Sequence, residues 1–264
     1  MARSFVPRAQ PPGTETAFRF MTDLLSVFGI PRDEELVASG GGNSFRTMGT
    51  ELLHALDRPL PPLDVLALAF HTPDLDFVDV AGCALAEQCA GRPDVFAVSG
   101  QGVGAPFTAL RTLAALHATG RAEHSALLTF DQTTLPYPEP DVHGHDREDC
   151  AVLLRTDALP GPGSARLVFT DERPVEDARE ALAVLERKRS ARLVLGGTLA
   201  ALLTRAPDAD VVTGPRRLIC ASAWAALAAC WPERGLPADL PTVVADYDPH
   251  AGRLFRAGLL GATG

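Results

Sequence analysis

Apolar residues recur at helical spacing over residues 15–28, where the pattern stops at Gly29-Ile30-Pro31, and again over 45–56, ahead of the Pro-rich stretch from Pro59 to Pro62. Each reads as an amphipathic helix closed by a breaker. From residue 64 the pattern changes. DVLALAF (64–70), VFAVS (95–99) and SALLTF (125–130) are short and almost continuously apolar, the composition of strands covered on both faces. Helix-like segments over 80–89 and 106–119 separate them, and this alternation predicts a mostly parallel sheet with helices on both sides. A polar loop over 136–149 precedes two runs, 150–155 and 165–169, and the Leu159-Pro160-Gly161-Pro162-Gly163 between them suits an antiparallel hairpin. A second series follows: a helix over 175–187, a strand over 191–195, a helix from Gly197 to Leu203, a strand over 209–213, a helix over 221–230, and closing strands over 242–246 and 253–260. The chain reads as an α/β protein of two halves, the second less complete, with no residue-level repeat.

Composition narrows the function classes. No apolar run reaches the roughly 18 residues of a spanning helix, and MARSFVPRAQPPGTETAF carries early arginines with no apolar segment behind them. It reads as a loosely ordered lead-in over 1–14, not as a secretory leader, and a cytoplasmic location is expected. The net charge of −9 argues against nucleic acid as a partner, because neutralising phosphates needs a clustered basic surface. Cys83, Cys89, Cys150, Cys220 and Cys230 show no C-x-x-C spacing and read as small core residues rather than a disulfide framework or zinc ligands. His143-Gly144-His145-Asp146, with Glu148 and Asp149, offers ligand types, but two histidines one residue apart in a polar loop read as solvated, and no metal is expected. His71, at a strand end, reads as a hydrogen-bonded histidine.

The stretch VSGQGVGAPF (98–107) stands where α/β proteins place their chemistry. Gly100-x-Gly102-x-x-Ala105 follows a strand and opens a helix, so one reading is a dinucleotide-binding oxidoreductase. Two features oppose it: the motif follows an earlier strand–helix unit, and Asp131 lies beyond the roughly 20 residues at which the ribose-binding acid is expected. No cofactor is therefore expected. A second reading is a glycine turn that lets a strand approach a helix.

The neighbours of that turn add a third. AFHTPDLDFVDVAGCAL (69–85) stands upstream and ALLTFDQTT (126–134) downstream. The order T-P-D-x-x-F, V-S-x-x-x-x-G, A-x-G-R and L-L-x-x-D resembles the β-ketoacyl synthase III branch of the thiolase superfamily. DREDCAVLLRT (146–156) is similar to that family's D-G-A-G-A-V-V-L hairpin, and VVADYDPHAGRLFRAGLL (243–260) to its V-L-L-x-G-F-G-x-G-x-x-W-G-A-x-L ending. The resemblance implies a thiolase-like fold, with two similar α/β halves packed in layers (αβαβα): an N-terminal half over 15–170 and a shortened C-terminal half over 171–264.

Enzymes of that family use a cysteine at a helix N-terminus as acyl acceptor, with a histidine and an asparagine stabilising the oxyanion. The resemblance places Gly102 at the cysteine, Gly196 at the start of the histidine motif and Arg217 at the asparagine; no histidine or asparagine occurs anywhere from Ala151 to Arg234. Cys220, Cys150 and Ser99 remain as weak nucleophile candidates. The retained Thr72, Pro73, Asp74 and Phe77 imply a segment that crosses to a partner's acyl pocket. The implied function is a non-catalytic subunit, in a heterodimer or heterotetramer, supporting a catalytically complete ketosynthase in acyl condensation or transfer during secondary-metabolite biosynthesis. Acyl carrier protein or coenzyme A thioesters would reach it through the complex. The alternative is an acyltransferase or thioesterase-type enzyme using other residues.

Overall fold

The computed structural model describes residues 1–8, 14–74, 76, 80–143, 146–159, 161, 164–186, 192–203 and 210–262. Among the described residues ten strands form two sheets of identical order. The first contains β1 (Ala2–Ser4), β2 (Val65–Phe70), β3 (Asp94–Val98), β4 (His124–Asp131) and β5 (Cys150–Asp157), arranged β1-β5-β4-β2-β3. The second contains β6 (Ala165–Pro174), β7 (Arg192–Leu195), β8 (Val211–Thr213), β9 (Thr242–Asp248) and β10 (Arg253–Gly261), arranged β6-β10-β9-β7-β8. In both, the first two pairings are antiparallel and the last two parallel. The helices are α1 (Thr14–Ser26), α2 (Glu34–Ser39), α3 (Phe45–His54), α4 (Ala81–Ala86), α5 (Ala105–Ala118), α6 (Pro140–His143), α7 (Ala178–Glu186), α8 (Gly197–Ala200) and α9 (Ser222–Arg234). The duplication that the residues conceal is plain in the topology.

β2 shows why the apolar runs are continuous. Side chains alternate across a strand, so Val65, Ala67 and Ala69 pack inward against Phe107 and Leu110 of α5 and Trp224 of α9. Leu66 and Leu68 pack outward against Phe45, Met48 and Leu52 of α3. With both faces buried, no position is left for a polar residue. In the second sheet, Val244 faces the central layer, while Val243, Ala245 and Tyr247 face Val184 and Leu185 of α7. The central helices lie between two sheets, so they are apolar nearly all round, as buried helices are. The result is the expected αβαβα stacking.

Three expectations are corrected. The runs 150–155 and 165–169 form no hairpin: β5 is paired on one edge by β4 and on the other by β1, so β6 has no edge to join and pairs with β10 instead. A half boundary at 170 falls inside β6, which belongs wholly to the second sheet. The lead-in is partly ordered, since Ala2–Ser4 pair with β5 and the terminal amine donates to the Leu153 carbonyl oxygen at 2.8 Å. A three-residue edge strand reading ARS carries no alternation to detect. The short α2 was also missed; Asp33 caps it by accepting the N–H groups of Glu35 and Leu36. The run Arg187 to Arg189 lies outside the described residues.

Candidate active site

A cleft of about 970 Å³ opens at the N-terminal ends of the central helices. Its walls come from the glycine turn before α5, His71 beyond β2, α6, Arg216, Leu218 and Ile219 before α9, the start of α8 and the Asp248–Ala251 turn between β9 and β10. Ligand sites of open α/β sheets lie at this end of the strands.

Gly100 and Gly102 have φ of +69° and +49°, conformations that residues with a Cβ adopt only under strain. Space is equally decisive. A Cβ on Gly102 would overlap the Asp248 carboxylate, and one on Gly104 the ring of Phe255. In the second half, a Cβ on Gly196 would overlap the Asp246 carboxylate. Gly102 and Gly196 therefore face the chain's own carboxylates. Asp248 also stands in front of α5, where a pyrophosphate would have to sit, which opposes the dinucleotide reading.

The aspartates follow the duplication. Ser125 pairs with the first residue of β2 and Thr242 with the first of β7; six residues further on, the two strands end at Asp131 and Asp248. Each carboxylate crosses to the other half's central helix. Asp131, buried, accepts the N–H groups of Ile219 (2.8 Å), Cys220 (2.9 Å) and Ala221 (3.0 Å) ahead of α9. Asp248 faces Gly102 ahead of α5 and accepts from the N–H groups of His250 and Ala251. Anionic groups at helix N-termini are favourable on both counts of orphan donors and dipole.

Burial dominates the titration of this cluster. It raises Asp131 above its ordinary value against three backbone donors that pull it down. It pushes Asp246 up to about 8, helped by the neighbouring charges of Asp248 and Asp131. Cys220 is raised well above a normal thiol, first by burial and then by Asp131 and Asp246.

No family model and no curated protein sequence matches the chain. Solved structures do. The acyltransferase ChlB3 superposes with a TM-score of 0.64 at 14% identity, over 84% of this chain and 85% of that one. FabH of Pseudomonas aeruginosa PAO1, a 3-oxoacyl-(acyl carrier protein) synthase III, gives 0.58 at 18% identity, over 100% and 97%. Xanthomonas campestris OleA, in a structure with bound lauric acid and lauroyl-CoA, gives 0.61 at 10% identity, over 84% and 82%. The fold is the thiolase fold. Two synthase III structures share it along nearly the whole of both chains.

Within this thiolase fold the sequence-derived positions are partly brought together. Gly102 and Gly197, next to Gly196, line the cleft. Arg217 does not: its guanidinium pairs with Glu148 at 3.3 Å, and the neighbouring Arg216 and Leu218 face the cleft instead. Cys150 is buried in β5 with its thiol raised by burial, and Cys220 donates to the Gly102 carbonyl oxygen at 3.6 Å. Burial works against a thiolate at either position. Ser99 is exposed at the end of β3. Only Cys83 is exposed among the cysteines, so an aromatic disulfide reagent should titrate one thiol of the native protein rapidly and the other four only after denaturation.

The segment after β2 is tied to its own chain. Thr72 donates to the Gln132 carbonyl oxygen, Pro73 accepts from the Gln132 amide, and Asp74 accepts the Phe45 N–H at the start of α3. Phe77 lies outside the described residues. The loop histidine motif disperses: His143 accepts from the Glu139 N–H, Glu148 pairs with Arg217, and Asp149 binds Asn43 and Thr133; His145 is not described. Sequence reasoning missed the cleft's polar wall, where Asp141 lies 3.6 Å from His71 and 3.1 Å from His250. These residues come from three distant segments and share no motif.

Proposed function

We infer that the chain is a non-catalytic synthase-III-like subunit of the cytoplasm. It supports a catalytically complete ketosynthase partner, in a heterodimer or heterotetramer, during acyl condensation or transfer for a polyketide- or fatty-acyl-derived secondary metabolite. One observation carries the reading: the positions of the missing cysteine and histidine are filled, Gly102 by Asp248 and Gly196 by Asp246. A chain that keeps the scaffold while placing its own carboxylates there has no room for an acyl-enzyme. The C-terminal ending supports this. With Phe255 on the family's tryptophan, Val244, Gly252, Ala257 and Leu259 keep the motif's residues, and Asp248 replaces its first glycine. Bulk has moved from one wall of the site to the other.

The surface favours a partner. β3 is an edge strand of the first sheet, its sequence DVFAV has no lysine, arginine or proline, and Val95 and Ala97 are exposed. Such an edge is a template for a second strand. Leu24, Val27 and Phe28 are exposed along and just beyond α1, adding apolar surface of the kind that marks interaction sites. The occupant proposed is a ketosynthase chain offering its own edge strand, with acyl carrier protein or coenzyme A thioesters delivered to that partner. No described helix is long and apolar enough to cross a membrane.

Co-expression with a complete synthase-III-like chain from the same genome tests the reading. The two are expected to co-elute at 1:1, and Val95→Lys with Ala97→Lys should abolish co-elution without lowering the melting temperature of this chain. A stable homodimer that turns over acyl thioesters alone would overturn it.

A further inference from the structure

We propose that the outer wall of the cleft is a binding site for one divalent transition-metal ion of the zinc type, held by His71, Glu139 and Asp141 and supported by His250. One donor atom from each of the first three lies within 4.8 Å of the others. Around a four-coordinate zinc such donors stand about 3.4 Å apart, as bond lengths of about 2.0–2.2 Å require, so side-chain rotation closes the set. His71 directly follows β2, and Glu139 and Asp141 flank the start of α6.

The state of His71 is the second observation. Its side chain is 20% exposed, its Nε2 stands 3.6 Å from Asp141 Oδ2, too long for a hydrogen bond, and its Nδ1 is buried with no partner. Among the described residues neither ring nitrogen makes a hydrogen bond. An imidazole in the cleft wall beside two carboxylates, with Nε2 committed to no hydrogen bond, is free to ligate a metal through that atom, while the unpaired Nδ1 costs free energy in either role. His250 supplies the outer support: its Nε2 reaches Asp141 Oδ1 at 3.1 Å, the carboxylate–histidine pairing that orients ligating groups. Asp141 is held from behind as well, because Arg147 Nε donates to its main-chain oxygen at 2.7 Å.

The donor set selects the ion. Mixed imidazole and carboxylate ligands suit zinc or cobalt, whereas calcium and magnesium take oxygen throughout. Three protein ligands leave a coordination position open, and here it faces the cleft, available to water or to an oxygen donor such as a carboxylate. This inference does not rest on the subunit reading, and its test involves no partner and no turnover.

The full chain, stripped with a chelator, is titrated with Zn²⁺ against a chromogenic competitor and with Co²⁺ by absorption spectroscopy. One equivalent per chain is expected, with visible cobalt bands of a nitrogen–oxygen set and no thiolate charge-transfer band. His71→Ala and Asp141→Ala should each weaken binding more than a hundredfold, and His250→Ala by about 10–100-fold, as loss of outer support does. His124→Ala, which breaks a pair with Asp157 elsewhere in the fold, should change nothing. If His71→Ala fails to fold, Glu139→Gln reads the same site. Absence of stoichiometric binding, binding indifferent to these variants, or a thiolate band would overturn the proposal.

Discussion

Gly196→Ala lowers the melting temperature by about 6–10 °C, and Asp246→Gly in the same chain restores most of the loss. The φ of Gly196 is −67°, so alanine meets no backbone penalty and the whole effect is overlap with the Asp246 carboxylate, all three of whose terminal atoms crowd the new methyl. Neither partner can yield easily. Gly196 N–H donates to the Ala245 carbonyl oxygen at 2.8 Å, and its own oxygen accepts from Ala200 at 2.9 Å. Asp246 is buried and its Oδ1 accepts the Tyr247 N–H at 2.9 Å. Overpacking a rigid core position costs about 1–3 kcal/mol, and forcing a buried polar group off its donor adds about 1–3 kcal/mol. In a chain of this size each kcal/mol lowers the melting temperature by about 2–4 °C. The decisive quantity is the coupling in the double-mutant cycle, expected at about 2–3 kcal/mol of rescue. Two effects that simply add in thermal melts would mean that Asp246 does not occupy the space above Gly196.

The contrast between what the residues reveal and what they hide has a physical basis. β2 was legible because two-sided burial removes every polar position, β4 because its apolar residues dominate although Ser125 and Thr129 are buried among them, and α5 because a glycine turn and Pro106 mark its start. β1 and the partner of β6 were not, since edge choice depends on which strand is already satisfied, a property of the assembled sheet. Gly102 and Gly196 were legible as positions that lack a reactive side chain. What fills them was not, because Asp248 and Asp246 belong to a strand far along the chain and only the packing of one half on the other brings them there. The metal-ligand set was hidden for the same reason: residues 71, 139, 141 and 250 meet only across the cleft. The loop motif that did look like a ligand set, around His143, spends its groups on local and ion-pair contacts instead.

Asp246→Asn flattens the pH dependence of stability and makes the protein more stable than wild type above neutrality. Burial, then the charges of Asp248 and Asp131, push Asp246 up to about 8, while the Tyr247 N–H works in the opposite direction. In the unfolded chain the same group titrates near an ordinary aspartate, about 3.9. The folded value is the higher one, so its stabilising contribution is complete below about pH 4 and is lost as pH rises through about 8. Across that window the native state holds a proton that the unfolded state has released, and stability falls by about 1.4 kcal/mol per pH unit. Asparagine matches the protonated carboxyl in size and cannot ionise, so this slope disappears in the variant. Asp131, Asp149 and His117 also titrate abnormally, but they are present in both chains, and the difference between the chains reports Asp246 together with its coupling to Asp131. Removing the Asp246 charge also eases ionisation of Asp131, which acts in the same direction. Urea unfolding at pH 5, 7 and 9 and constant ionic strength should show the variant gaining on wild type by about 3–4 kcal/mol between pH 5 and 8, with little change beyond. Parallel loss of stability in the two proteins would show instead that Asp246 is already ionised in the folded state, and the acid facing Gly196 would then be a buried anion held by Tyr247 and the start of α8.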